Sequence, residues 1–245
     1  MNTSTFDARF KTPFTCIVSG SPMSGKTTFI RRLLEDRHIF IDNEIDYLVW
    51  FYGQHTPFID ILQKQALGLK TTVVHQLPTS FEDYIQPDKR GLFVIDDLMV
   101  TAGASTSVTD LFCNKVQHAN LSVILLMQNL FYHGSERTTL VRCAHYLIIF
   151  KNPLDASVPL FLAQKIMPLQ RKLFMNIYDQ ATAKPYGYLL IDGKQDTPKA
   201  ARFRTDILEE GVQRVFVVDE PLSAKNKSPA ITYAEKETIE GEERE

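Results

Sequence analysis

No apolar run in this 245-residue chain approaches the ~18 residues that cross a bilayer, so nothing in it reads as a membrane span. The first residues, Met1 to Arg9, lack the apolar core of a secretion signal. The expected place of the protein is therefore intracellular and soluble, where it is made, with no membrane partner. Cysteine is scarce. Cys16, Cys113 and Cys143 are odd in number, far apart and set in apolar stretches, which argues for three buried free thiols in a reducing compartment over a disulfide framework or a zinc site. His38, His55, His75, His118, His133 and His145 are scattered without metal-ligand spacing and read as structural. There is no internal repeat. Neither sign of charge dominates: a formal net charge of -2 gives no global attraction to nucleic acid, so any contact with DNA must come from a local patch. Residues 165–204 contain one, with Lys165, Arg171, Lys172, Lys184, Lys194, Lys199, Arg202 and Arg204 set against Asp179, Asp192 and Asp196. A solvated basic face is the commoner origin of such a cluster.

What is present is enough apolar material, 44% of residues, to bury one substantial α/β core. The economical division is a flexible lead over residues 1–12, one domain over 13–219 and an acidic tail over 220–245. The tail closes with Glu235, Glu237, Glu240, Glu242, Glu243 and Glu245. Its composition cannot support packing, so it is expected to be disordered, as a solubilising or a docking segment.

Gly20-Ser21-Pro22-Met23-Ser24-Gly25-Lys26-Thr27 fits G-x-x-x-x-G-K-[ST] at every fixed position, with Thr28 next in line. Before it, Phe14–Ser19 is a short apolar run suited to a buried strand. After it, Phe29, Ile30, Leu33 and Leu34 recur at helical spacing within Thr27–Arg37. Strand, loop and helix in that order are the context that a phosphate-binding loop requires. Glycine at positions 20 and 25 permits backbone angles that let successive N–H groups converge on phosphate oxygens. Lys26 then reaches the β- and γ-phosphates of a bound nucleotide, and the Thr27 hydroxyl ligates Mg²⁺.

Composition places the other elements. Tyr47–Phe51, Thr71–His75, Leu121–Met127, Tyr146–Phe150, Tyr186–Ile191 and Val212–Val218 read as strands. Helices are expected from Thr56-Pro57 to about Leu67, over Val108–Ala119, and over Ala156–Met167 and Leu169–Ala181 on either side of Pro168. A short helix is expected after Thr79, and Arg137 and Arg142 fall in a polar segment.

Leu92-Phe93-Val94-Ile95 running into Asp96-Asp97 describes a strand buried on both faces. It delivers two acids at its C-terminal edge, where ligands of open α/β sheets sit. Asp96 suits the Mg²⁺ shell, and Asp97 suits polarisation of an attacking water. Two adjacent acids favour an ATPase that activates water within its own subunit. Asn114-Lys115-Val116-Gln117 lacks the acid of a guanine reader, so adenine is the expected base. Gln128-Asn129, at the end of the most apolar strand, either positions water near the γ-phosphate or caps a turn. Arg137 and Arg142 are either arginine fingers acting on a neighbour's nucleotide or solvated surface residues.

With these motifs in place the chain resembles the FtsK/HerA superfamily of DNA-pumping ATPases, and within it the genome-packaging ATPases of Maverick/Polinton-type elements and their adintovirus and poxvirus relatives. The resemblance is carried by Gly20–Thr27, by Ile95-Asp96-Asp97-Leu98-Met99, and by Leu126-Met127-Gln128-Asn129-Leu130-Phe131. It continues through Arg137-Thr138, the run His145 to Pro153, and Arg202-Phe203-Arg204-Thr205. It departs at Asn152-Pro153-Leu154-Asp155, where the group commonly has Asn-Pro-Arg-Asp, and at Leu140 to Ala144, where it has Ser-Leu-Asn. The resemblance implies that Gln128 senses the γ-phosphate and that Arg137 is the trans-acting arginine, with Arg142 as the other candidate. It also implies ATP and Mg²⁺ as ligands, and double-stranded DNA, a homo-oligomeric ring and a capsid vertex or portal as partners, at the site of virion assembly in a host cell.

The expected fold is an α/β P-loop NTPase with a mainly parallel central sheet. The Leu121–Met127 strand lies between the strands of the two nucleotide motifs, and helices cover both faces. The leading function is a viral DNA-packaging motor. A cellular HerA-like translocase or helicase, a low-turnover ATP-dependent switch or scaffold, and a small-molecule kinase are the alternatives.

Overall fold

Runs of β-branched and aromatic residues become the strands, and apolar side chains spaced three or four apart become the helices. The computed structural model describes residues 6–96, 98, 106–128, 130, 135–209, 213–218 and 231–236. In chain order the elements are β1 (Thr15–Ser19), α1 (Lys26–Glu35), α2 (Arg37–Phe40), β2 (Tyr47–Tyr52), α3 (Pro57–Gln63), β3 (Lys70–His75), β4 (Gly91–Asp96), α4 (Thr106–Asp110) and α5 (Val116–His118). They continue with β5 (Leu121–Met127), α6 (Ser135–Cys143), β6 (Tyr146–Phe150), α7 (Ser157–Ile166), α8 (Arg171–Ala181), β7 (Tyr188–Asp192), β8 (Phe203–Thr205), β9 (Gln213–Val218) and β10 (Ile231–Lys236). A π-helical turn, Leu111–Lys115, joins α4 to α5.

The described strands form one sheet in the order β10-β9-β8-β7-β6-β1-β5-β4-β2-β3. Every pairing from β3 to β6 is parallel. Every pairing from β6 to β10 is antiparallel. As expected, β5 lies between β1 and β4, so the strands that lead into the two nucleotide motifs are separated by one strand.

Side chains alternate between faces along each strand. Ile17, Val123, Phe93 and Ile149 face one way and pack with Leu111, Leu162 and Phe174 from the helical segments after β4 and β6. Val18, Ile124, Val94 and Ile148 face the other way and pack with Ile30, Leu33 and Leu34 of α1 and Ile59 and Leu62 of α3. Helices therefore cover both faces, as expected. Each fully buried aliphatic side chain is worth ~1.5–3 kcal/mol by removal from water, which makes this double face the main source of stability.

Several expectations need correction. The lead is tied down at Phe10, which is buried and bridges to Ile41, with its N–H donating to Phe40 O at 2.8 Å. The acidic tail contains a strand: β10 pairs antiparallel with β9 over Ile231–Lys236. The polar segment with Arg137 and Arg142 is helical, as α6. The helix after Thr56 stops at Gln63 because Gln65 takes a left-handed backbone, φ 52°, before the chain turns into β3. Helix 108–119 is interrupted by the π-turn, and the strand expected from Tyr186 begins at Tyr188.

Cysteine pairing also differs. Cys16 is a buried free thiol, but Cys113 and Cys143 form a disulfide with Cα atoms 5.3 Å apart. The pairing follows from α6. Its end packs beside the π-turn and brings together two half-buried cysteines that lie 30 residues apart in sequence. The basic cluster of residues 165–204 does not form one free cationic face. Arg204 is 1% exposed and bonds Asp192 at 2.7 Å and Ala8 O at 2.6 Å. Lys184 lies 3.6 Å from Asp206 and Lys194 lies 3.7 Å from Asp196.

His145 joins β1 to the start of β6. The Thr15 N–H donates to the His145 ring Nδ1 at 3.0 Å, and the His145 backbone N–H donates to Thr15 Oγ1 at 2.9 Å. A ring nitrogen that accepts is unprotonated, and burial, followed by the nearby Lys194 charge, holds the imidazole below its ordinary value of 6.5. The unfolded chain therefore takes up the proton first on acidification. Stability that is present above pH 6.5 is lost as pH falls toward the folded-state value. His145→Gln keeps an acceptor and removes the titration. The fall in melting temperature between about pH 8 and about pH 5.5 is expected to be smaller in this variant than in the wild type. Equal falls in thermal denaturation would refute the role.

Candidate nucleotide-binding site

β1 ends between β5 and β6, where the Gly20 N–H donates to Met127 O at 3.1 Å. A Cβ on Gly20 would lie 2.6 Å from Ser24 Oγ and 2.7 Å from Phe150 Cβ, which leaves no room for a side chain. The loop then passes through two left-handed residues, Met23 at φ 62° and Gly25 at φ 102°. Gly25 precedes α1, which has no side-chain cap at this end, so the positive end of the helix dipole faces the loop. Ser24 Oγ is buried without a hydrogen-bond partner. Lys26 Nζ donates to the carbonyls of Gly20 at 2.6 Å and Ser21 at 2.9 Å. Backbone donors, an ammonium group and an orphaned hydroxyl therefore share one tight loop, a set that fits phosphate.

Strand register brings the other groups to the same edge. Leu126 of β5 is level with both Val18 of β1 and Asp96 of β4, which sets the buried Asp96 about 10 Å across the sheet from β1. Gln128 follows β5 and lines a small cleft with Ser19, Gly20, Asn152 and Asp155. Thr27 is half-buried in the first turn of α1. Asp97 and Asn129 lie outside the described residues.

The arginines are placed differently. Arg137 belongs to α6, but its side chain is outside what is described. Arg142 is exposed and lines a second cavity, of about 390 Å³, with Lys165 and Arg202 near Ala144 and Gly193. That cavity opens at the amino end of β6, and the phosphate loop lies at its carboxyl end, ~13 Å further along the strand. Arg142 is therefore not gathered with the phosphate loop of its own chain.

Residues to which the sequence assigned no part in the site complete the surroundings. Phe29, Phe150 and Tyr188 form an aromatic cluster beneath the loop, with ring centroids 5.0 Å apart for Phe29 and Tyr188 and 5.4 Å for Phe150 and Tyr188. Tyr178 donates its hydroxyl to Phe150 O at 3.2 Å and holds the end of β6. Beside the loop a cavity of about 570 Å³ runs between Met23–Phe29 with Arg32 on one side and residues 184–188 and 206–209 on the other. Lys184-Pro185-Tyr186-Gly187 is a Pro-x-Gly turn signature, the local signal that could have marked this wall. Gly20→Val must displace Phe150 or Ser24, at ~1–3 kcal/mol for overpacking. It is expected to lower the melting temperature and remove triphosphate binding, and unchanged binding by calorimetry would refute the close-packed loop.

Compared with solved structures, the fold is similar to that of B204, the DNA-packaging ATPase from Sulfolobus turreted icosahedral virus. The TM-score is 0.51 and the identity 13%, over 74% of this chain and 93% of that one. B204 from Sulfolobus turreted icosahedral virus 2 in complex with ATP-gammaS matches with TM-score 0.48 and 16% identity over 76% of this chain and 95% of that one. Flagellar accessory protein FlaH from Methanocaldococcus jannaschii matches with TM-score 0.44 and 13% identity over 94% and 92%. At such identities the likeness concerns the fold. No curated protein sequence matches the chain significantly. The sequence profile described as Poxvirus A32 protein matches residues 3–195, most of the length and both nucleotide motifs, and the chain belongs to the poxvirus A32 protein family.

Proposed function

We propose that the chain is the ATPase of a viral genome-packaging motor, which binds ATP in the Gly20–Thr28 loop and couples its hydrolysis to movement of double-stranded DNA into a capsid. The observation that carries this reading is the convergence of that loop, Asp96 and Gln128 on one edge of the sheet. Membership of the poxvirus A32 protein family and the fold shared with B204, itself described as a DNA-packaging ATPase, support it. The finer lineage, near Maverick/Polinton-type elements and adintoviruses, rests on the motifs alone.

Within the site, Gly20, Ser21, Pro22, Met23, Ser24, Gly25 and Thr28 form the cradle, whose backbone donors and Lys26 neutralise phosphate charge. Lys26 exchanges its carbonyl partners, Gly20 O and Ser21 O, for phosphate oxygens. Thr27 and Asp96 would hold Mg²⁺, which supplies further charge neutralisation when bound. Asp97 orients the attacking water, and Gln128 reports the state of the γ-phosphate to the sheet. The arginine that completes the site comes from a neighbouring subunit of a homo-oligomeric ring, from Arg137 or Arg142. The distance of Arg142 from its own loop supports action in trans over action in cis. DNA is gripped through its phosphates by cations without reading sequence, so binding weakens with salt. The ring docks at a capsid vertex or portal.

ATP hydrolysis by the purified protein is expected to rise when long double-stranded DNA is added, to grow with DNA length and to vanish in Lys26→Ala. Turnover in Lys26→Ala at the wild-type rate would refute the loop assignment, and a rate independent of DNA would refute translocation. Asp97→Asn is expected to bind ATP with wild-type affinity while turnover falls by about 10²-fold or more, the range for loss of a proton-transfer or water-orienting group. Loss of ATP affinity in equilibrium binding would instead assign Asp97 a metal-holding or structural role.

A further inference from the structure

We infer that Tyr186 is the platform on which the nucleobase stacks, an inference that rests on the nucleotide reading of the adjoining loop. A triphosphate seated in the loop leaves the nucleoside to be housed, and the cavity of about 570 Å³ continues from Lys26 and Thr27 toward residues 184–188. That volume is of the size that small-molecule sites use. Tyr186 stands where the two meet: its Cβ and Cδ1 are 3.5 Å from the point that a Cβ on Gly25 would occupy.

Packing does not explain this tyrosine. It is 71% exposed, whereas Tyr188, two residues on, is buried and hydrogen-bonded by the Ile207 N–H at 2.9 Å. Local conformation does not explain it either. The Gly187 N–H donates to Lys184 O at 3.0 Å and closes a turn with Pro185 at the second position and Tyr186 at the third, where φ is +60°. That third position favours glycine or asparagine, and a bulky aromatic there is out of keeping with its backbone.

The turn itself is firmly held. A Cβ on Gly187 would lie 2.9 Å from the carbonyls of Ala181 and Lys184, and Lys184 Nζ reaches across to Asp206 at 3.6 Å and Glu209 at 3.7 Å. A rigid turn that presents an exposed aromatic ring at the mouth of a cavity next to a phosphate loop is a stacking surface. Stacking tolerates any base because every base has a π-face, so Tyr186 contributes affinity, and the polar rim at Arg32 and Glu209 is left to orient the ring.

The test compares ATP with inorganic tripolyphosphate by isothermal titration calorimetry, using the full chain and Tyr186→Gly and Tyr186→Phe variants. Glycine suits the left-handed backbone, so Tyr186→Gly is expected to fold with an unchanged or higher melting temperature. Its ATP affinity is expected to fall about tenfold or more while tripolyphosphate affinity stays at the wild-type level, and Tyr186→Phe is expected to restore ATP affinity. Equal losses for both ligands would make Tyr186 a support for the loop and overturn the inference. Wild-type ATP affinity in Tyr186→Gly would overturn it alone, leaving the nucleotide reading intact. A wild-type protein that binds neither ligand would overturn the nucleotide reading and this inference with it.

Discussion

The close approach of Gly20 to Phe150 is the constraint from which the site follows. Three parallel strands, β5, β1 and β6, arrive at one level, and the chain leaving the middle one must turn sharply with no side chain at the turning point. That turn forces the left-handed residues Met23 and Gly25, and these in turn aim the start of α1 back at the sheet edge. Were β1 an edge strand, the loop could relax sideways. Held between two partners, it cannot. The same confinement leaves Ser24 Oγ buried without a partner, a local cost that is expected where a loop is shaped for a ligand and not for its own stability.

The sheet changes character at β6, and the site straddles the change. The parallel half supplies the phosphate loop, Asp96 and Gln128, all at carboxyl ends of strands. The antiparallel half contributes the turns before β7 and after β8, which reach the same edge because antiparallel neighbours alternate direction. The buried Arg204–Asp192 pair ties β7 to β8, and through Ala8 it ties both to the N-terminal segment. Burial holds the Arg204 guanidinium below its ordinary pKa in spite of the nearby Asp192 charge, so the pair adds little net stability, as buried ion pairs commonly do. Arg204 is thereby a residue of the fold, although in sequence it looked like one member of a cationic patch.

Periodicity and composition made the parallel half legible. Leu121–Met127 and Tyr146–Phe150 are strands with the bounds that their apolar runs indicate, because a strand buried on both faces has no polar positions to blur its ends. The phosphate loop was legible because its chemistry requires particular residues at fixed spacing. The helix α6 was not: Ser135–Cys143 carries Leu140 as its buried apolar anchor, and it is helical through tertiary contact with the π-turn, which local sequence does not encode. The disulfide stayed hidden for the same reason, since Cys143 meets Cys113 only once that helix is docked. The wall at residues 184–187 is hard to read in the sequence because Tyr186 and Tyr188 share a strand-like composition, although Pro185 and Gly187 bracket a turn.

Joined at Cys113 and Cys143, the chain between them becomes a closed ring with β5 as one of its sides. In the chain-entropy view, closing a loop across a separation of 30 residues restricts the unfolded chain more than the folded one. Gln128, which follows β5, and Arg137 and Arg142 of α6 all lie within that one covalently closed loop.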